Sequence, residues 1–216
     1  MAELISAAAE QHALAHTSQL PGELAQIAEW TAANMSSPQM MSGLAEIRLL
    51  EVLIAVGGAR RALEIGAFTG LGAIAMVSAM GPEGRVVTLE RDPEHVEIAR
   101  RHIAQSGYGE RIDLVEGDAL AILPTLEGPF DLVYIDAWKA DYPSYYDAVV
   151  PLLAPRGVIV ADNLFRGGDV LDESHNDEGT LGMREFTERV HADERMTNVL
   201  LTIGDGVMLA WRRSQG

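Results

Sequence analysis

The sequence predicts an α/β fold: a doubly wound, mostly parallel seven-stranded sheet with a C-terminal antiparallel hairpin and an N-terminal helical cap. Three observations predict it. Residues 1–57 carry apolar side chains at three- and four-residue spacing, the period of helices. From residue 61 short apolar runs alternate with helix-like stretches, the pattern of right-handed β-α-β units around a parallel sheet. From Met196 the pattern changes to two extended runs around Gly204-Asp205-Gly206, which reads as a hairpin.

In chain order, the cap has Ala- and Leu-rich stretches at 3–15, 22–34 and 43–56. Pro21-Gly22, Ser36-Ser37-Pro38 and Gly57-Gly58 punctuate them. The strand runs are 62–65, 86–90, 112–115, 132–135 and 158–161. The helix-like stretches are 70–80, 93–106, 118–122, 141–153 and 178–192. The hairpin pairs 196–203 with 207–211. There is no internal repeat and no low-complexity linker, so residues 1–216 read as a single domain, with 1–57 as cap and 58–216 as α/β core.

A chain of 216 residues, 48% hydrophobic, buries a sizeable core. The absence of cysteine excludes disulfides, thiolate metal sites, iron–sulfur clusters and a cysteine nucleophile. A formal charge of −16 repels phosphate backbones, which argues against nucleic acid, and favours cations. No apolar run approaches the ~18 residues of a membrane span. Met1-Ala2-Glu3-Leu4 lacks the basic start of a signal peptide, so the expected location is cytoplasmic, without membrane attachment. Of sixteen basic residues fifteen are arginine, and Lys139 is the only lysine. A lysine can lose its proton near neutral pH when its surroundings depress its pKa; an arginine cannot.

Ligands of open α/β sheets bind beyond the carboxyl ends of the strands. Here all five ends carry carboxylates: Glu64, Glu90, Glu116 with Asp118, Asp136, and Asp162. Helix capping accounts for one or two of them, not five. The first turn, Gly66-Ala67-Phe68-Thr69-Gly70, lets backbone approach a ligand but has neither dinucleotide nor P-loop spacing, and Glu64 before it favours an ammonium group over a phosphate. Glu90 can accept from both hydroxyls of a ribose, although alone it also reads as a solvated strand end. Asp118-Ala119 is placed to meet an adenine edge. An adenosine with a cationic amino-acid tail, such as S-adenosylmethionine, fits all of these. Asp136 and Asp162-Asn163 end neighbouring runs, with tips roughly 5 Å apart. Alone, Asp162-Asn163 reads as a cap and turn. With Asp136 they form a hard-oxygen set of charge −2 that suits Mg²⁺ or Ca²⁺ and a chelating substrate.

With these residues assembled, the sequence resembles the cation-dependent O-methyltransferases of the catechol and caffeoyl-CoA type. The matching pieces are Leu63-Glu64-Ile65-Gly66-Ala67-Phe68-Thr69-Gly70, Val87-Thr88-Leu89-Glu90 and Gly117-Asp118-Ala119-Leu120. They continue with Ile135-Asp136-Ala137-Trp138-Lys139, Tyr142, Tyr145-Tyr146, Asp162-Asn163, Gly167-Gly168 and Ile203-Gly204-Asp205-Gly206. The resemblance runs from about residue 40 to 211 and implies a Rossmann-like methyltransferase. It implies that Asp136, Asp162 and Asn163 hold Mg²⁺, or another hard cation such as Mn²⁺ or Ca²⁺. It places Glu64, Gly66, Ala67, Gly72, Glu90, Asp118, Ala119, Asp136 and Trp138 around S-adenosylmethionine, with Ser42 reaching over from the cap. Asp136 and Lys139 are the implied catalytic pair, Lys139 being the general base. A divalent ion and a sulfonium lower a lysine pKa while Asp136 raises it, so the sign of the sum stays open. The implied acceptor is a small vicinal dihydroxy aromatic, and the family is commonly a homodimer.

The chain departs from the family at Gly72, where a serine is usual, and at Arg166, where a tryptophan is common. Arg166 either pairs with an acidic acceptor or faces solvent. His12, His16, His95, His102 and His191 read as solvated or packed, while His175 in the acidic loop 172–178 is either an ordinary loop residue or a border of the site. Phe165 and Tyr142 line the acceptor pocket or the core. A nicotinamide-dependent oxidoreductase explains the sheet and Glu90 but leaves Asp136, Asp162 and Asn163 idle. A metal- or adenosine-binding sensor would have no use for Lys139.

Overall fold

The computed structural model describes residues 6–213. Three helices open the chain: α1 (Ala7–Ala15), α2 (Gly22–Asn34) and α3 (Leu44–Gly57). No residue of α1 is buried. In α2, Leu24, Ile27 and Thr31 are buried, and in α3 Ile47, Leu50 and Ile54, each set spaced to form one stripe. Gly58, left-handed at φ 65°, ends α3. The expected helix over 3–15 is met from Ala7; residues 3–5 lie outside the described part.

The alternation then follows: β1 (Arg61–Ile65), α4 (Leu71–Ala79), β2 (Arg85–Glu90), α5 (Pro93–Gln105), β3 (Ile112–Glu116), α6 (Ala119–Ile122), β4 (Phe130–Ile135), α7 (Tyr142–Val149), β5 (Leu153–Ala161), α8 (Glu178–Ala192), β6 (Met196–Leu201) and β7 (Val207–Arg212). They form one seven-stranded sheet in the order β3-β2-β1-β4-β5-β7-β6. β1 runs parallel to β2, β2 to β3 and β4 to β5, while β7 is antiparallel to both β5 and β6. Leu132–Ile135 of β4 is a continuous buried apolar run, as a parallel strand covered on both faces requires.

One boundary differs from expectation. The helix expected to 153 stops at Val149, and β5 begins at Leu153, five residues earlier than the apolar run. Pro151 has no N–H and restricts the residue before it, so the helix gives way to a 3₁₀ turn at Val150–Leu152. The register of β5 against β4 then shifts between Phe130 and Leu132.

Among the described residues, 11–119 form one compact unit, and 6–10 with 120–213 another. In the first, α4 is buried from Leu71 to Val77, so it packs on all sides. Asp92 caps α5 by accepting from Glu94 N (2.9 Å), with Pro93 at the first helical position. In the second, the rings of Tyr142 and Tyr146 each meet Phe186 edge-on, joining α7 to α8. Gly182 of α8 lies so close to the 139–140 backbone that a Cβ there would come within 2.6 Å of the Lys139 carbonyl oxygen. Among the described residues no helix is long and apolar enough to cross a membrane.

Candidate active site

At the end of β2 the backbone fixes the carboxylate of Glu90. The turn after β1 folds back on β2: Gly66 N and Ala67 N donate to Leu89 O at 2.9 and 3.1 Å. Gly66 and Gly70 take positive φ, and so does Phe68 at 48°, a costly conformation for a bulky side chain. That conformation aims Phe68 N at Glu90 Oε2 (2.8 Å). Arg91 N and Asp92 N donate to Glu90 Oε1 at 2.9 and 3.0 Å, so three main-chain N–H groups hold this carboxylate. They take three of the carboxylate's roughly four lone-pair sites, which leaves one on Oε2 for a ligand hydroxyl. Gly117 N donates to Glu90 O (2.8 Å), which brings the Asp118-Ala119 turn alongside. Asp118 is exposed, whereas Ala119 is buried at the start of α6.

Glu64 is 1% exposed and accepts from Thr88 Oγ1 at 2.5 Å. A Cβ on Gly72 would collide with Glu64 Oε1. The glycine that departs from the family's serine therefore makes room for the buried carboxylate. Ser42 is half-buried just before Gly43, the cap of α3.

At the ends of β4 and β5 side chains do more of the holding. Ile135 pairs with Ala161, and Asp162 N donates to Ile135 O (3.0 Å), so Asp136 and Asp162-Asn163 leave adjoining strand ends. Asp162 is 3% exposed, and its oxygens accept from Tyr134 Oη (3.2 Å) and Asn163 N (2.7 Å). Asn163 sits at φ 63°, a conformation that asparagine tolerates better than most residues. Lys139 Nζ donates to Asp136 Oδ1 (2.8 Å) and to Tyr142 Oη (3.0 Å). Burial works against the charge on Lys139, but the Tyr142 oxygen and the Asp136 carboxylate outweigh it and hold the ammonium well above its ordinary pKa. Trp138, next to it, is half exposed.

The loop after β5 is tied to the turn between β6 and β7. Leu164 N donates to Gly206 O (3.0 Å), Phe165 N to Asp205 O (2.8 Å) and Gly167 N to Asp205 Oδ1 (2.7 Å). Burial raises the Asp205 pKa, against the Gly167 N–H and the Lys139 and Arg166 cations. Arg184 of α8 pins the same loop, donating to the carbonyls of Asp169, Val170, Asp172 and His175 at 2.6–3.0 Å. Among the described residues no three His, Cys, Asp or Glu assemble a metal cage. The candidate set of Asp136, Asp162 and Asn163 has two carboxylates with an amide as third donor, and its hard-oxygen chemistry fits a divalent cation.

This geometry has known counterparts. The model of the O-methyltransferase family matches residues 14–213. The chain belongs to the O-methyltransferase family. It is 39% identical over 165 residues to the catechol O-methyltransferase of Mycobacterium tuberculosis, covering 76% of this chain and 74% of that protein. It is 32% identical over 204 residues to a probable caffeoyl-CoA O-methyltransferase of Dictyostelium discoideum, covering 92% and 88%. The O-methyltransferase TomG of Streptomyces achromogenes, solved in complex with S-adenosylmethionine, superposes with a TM-score of 0.86 at 32% identity over 96% of each chain. The protein is thus an S-adenosylmethionine-dependent O-methyltransferase of the catechol and caffeoyl-CoA type, and the oxidoreductase alternative is not favoured.

Several neighbours of the site in this O-methyltransferase make contacts that the sequence reading did not specify. His95 was expected to be solvated or packed; it packs edge-on against Phe68 and lies 3.8 Å from Glu90 Oε1. Its place in the first turn of the helix after β2 was the available signal. Arg166 does not simply face solvent, because its guanidinium pairs with Asp177 at 3.0 Å. Its Nε is buried without a hydrogen-bond partner. His175 is exposed and paired with Asp169 at 2.7 Å. Thr88 and Asp205 lie in pieces that match the family, yet their bonds to Glu64 and Gly167, like that of Tyr134 to Asp162, are long-range and show only in the fold.

Proposed function

We propose that this O-methyltransferase transfers the methyl group of S-adenosylmethionine to one hydroxyl of a small catechol-type acceptor, with Mg²⁺ or a similar hard cation at Asp136, Asp162 and Asn163. The observation that carries the reading is the Asp136–Lys139 pair beside the adjoining Asp162-Asn163 strand end. A cation bound there could be chelated by the two acceptor hydroxyls and would favour the phenolate.

This chain's residues do the rest. Glu90, held by main-chain N–H groups, accepts from a ribose hydroxyl, and Asp118 with Ala119 meets the adenine. Glu64 faces the cationic amino-acid end, with Gly66, Ala67 and Gly72 giving close backbone approach and Ser42 reaching from the cap. The family resemblance adds Trp138 and Asp136 to the donor's contacts. The acceptor oxygen attacks in line with the methyl carbon: an O–C bond forms, the S–C bond breaks to leave neutral S-adenosylhomocysteine, and the hydroxyl proton leaves. Lys139 Nζ is the group placed to meet that oxygen, receiving the proton as an amine or stabilising the phenolate as an ammonium.

The test is mass-spectrometric detection of S-adenosylhomocysteine from purified protein, donor and a panel of catechols, with Mg²⁺ or with EDTA. Product that disappears with EDTA supports the reading, whereas product indifferent to EDTA removes the cation from it. Lys139→Arg keeps the charge but cannot accept a proton. Unchanged turnover of that variant at neutral pH would rule out proton transfer to Lys139.

A further inference from the structure

Lys139 is a flexible side chain, and one bond to Asp136 would leave it free to swing about that bond. A second anchor exists in Tyr142. This tyrosine opens α7, is fully buried, and its ring is wedged against Phe186 at 5.5 Å and Tyr145 at 6.1 Å. A phenolic hydroxyl has one hydrogen to give and lone pairs to accept with. Here it accepts from Lys139 Nζ at 3.0 Å, and its single hydrogen is shared between the carbonyls of Ile135 and Asp162, both at 3.1 Å. These are the residue that ends β4 and the residue that follows β5. One buried hydroxyl thus joins the lysine to both strand ends that carry the proposed cation-binding residues. From the other side α8 presses on the 139–140 backbone at Gly182, so the segment between Lys139 and Tyr142 has little room to move.

We infer that Tyr142 is a positioning residue, whose hydroxyl holds Lys139 Nζ at the acceptor oxygen and in register with the two strand ends. The inference rests on the proposed role of Lys139 for its catalytic consequence, but not for its structural one.

Tyr146 supplies a matched control. It lies one helical turn further along α7, is 1% exposed, meets Phe186 edge-on, and spends its hydroxyl on Asp193 Oδ2 at 2.9 Å instead of on Lys139. Tyr142→Phe and Tyr146→Phe each remove one buried hydroxyl and keep the ring. Two measurements on the full chain decide. The first is NMR of isotope-labelled lysine, which gives a single side-chain signal set because the chain has one lysine. Two distinct methylene-proton shifts at Cε are expected in the unmodified protein and in Tyr146→Phe, collapsing towards one in Tyr142→Phe. Averaged shifts in the unmodified protein, or no change in Tyr142→Phe, would overturn the inference. The second is steady-state kinetics with a catechol that the unmodified protein accepts. Tyr142→Phe is expected to lose about 10- to 100-fold in kcat, as misplaced catalytic groups do, with KM for S-adenosylmethionine unchanged, and Tyr146→Phe to lose none. Equal losses in both variants would make the hydroxyl merely structural and overturn the positioning role. If no catechol is methylated, the proposed function fails while the NMR result still decides the inference.

Discussion

Glu90 and Asp136 both stand at strand ends, yet they are held in opposite ways. Glu90 takes its hydrogen bonds from the main-chain N–H groups of Phe68, Arg91 and Asp92. Asp136 takes its bond from Lys139, an ammonium on a four-carbon stem. Main-chain donors are fixed once the turn is folded, whereas a side-chain donor is only as steady as its other anchors. The Glu90 carboxylate should therefore depend on few side chains beyond its own. The β4 and β5 ends should feel changes in a web of neighbours that includes Tyr134, Tyr142 and, through the loop after β5, Asp205.

Substitutions can break that contrast. The largest effect is expected from Asp162→Asn, which removes one of two anionic donors and should cost on the order of 1,000-fold in kcat, several kcal/mol of transition-state stabilisation. Calorimetry should find its affinity for S-adenosylmethionine unchanged, and a weakened affinity instead would blur the division. Glu90→Gln should act the other way. Losing charged hydrogen bonds worth roughly 1.5–3 kcal/mol weakens donor binding about 10- to 100-fold, and the rate at saturating donor should hold.

Gly72→Ala comes next. Its Cβ would collide with Glu64 Oε1, and overpacking a filled core costs about 1–3 kcal/mol. A lowered Tm with weaker donor binding is expected, and full donor affinity would show that Glu64 can move aside. The smallest effect is one of pH. His102 titrates near 6.5 when unfolded; burial depresses its pKa in the fold, while its bond to the Thr69 carbonyl opposes the shift. The unfolded chain then binds more protons between the two values, so stability falls as pH drops below about 6.5 and is insensitive to this group above it. Thermal melts from pH 7 to pH 5 should show the decline, and His102→Gln should flatten it.

Local signals made much of the fold legible. Each expected strand and helix is present within a few residues, because apolar runs, glycine turns and the cap at Asp92-Pro93 act over short spans. The expectation starts β5 at 158, where the apolar run begins; pairing of Leu153 with Phe130 of β4 carries the strand back across Pro155 and Gly157. At the site, the carboxylates at strand ends were readable from position alone. Their supports were not. Tyr142 sits in an aromatic stretch that spells core, and its hydroxyl finds Ile135 and Asp162 from 7 and 20 residues away. Thr88 supports Glu64 from 24 residues away, with nothing near it in sequence to mark the pairing.

Thr69, inside the turn after β1, is fully buried and accepts from Thr31 Oγ1 of α2 at 2.9 Å, while its carbonyl binds His102 of α5 at 2.8 Å. Trp30 packs edge-on against that histidine, under the Arg101 guanidinium. One residue of the turn thus bolts α2 to the floor of the proposed donor site. Any ligand that quiets residues 66–70 damps the breathing of α2 with them, so hydrogen–deuterium exchange of the amides at 24–31 should slow when S-adenosylmethionine is added, well outside the ligand's own footprint.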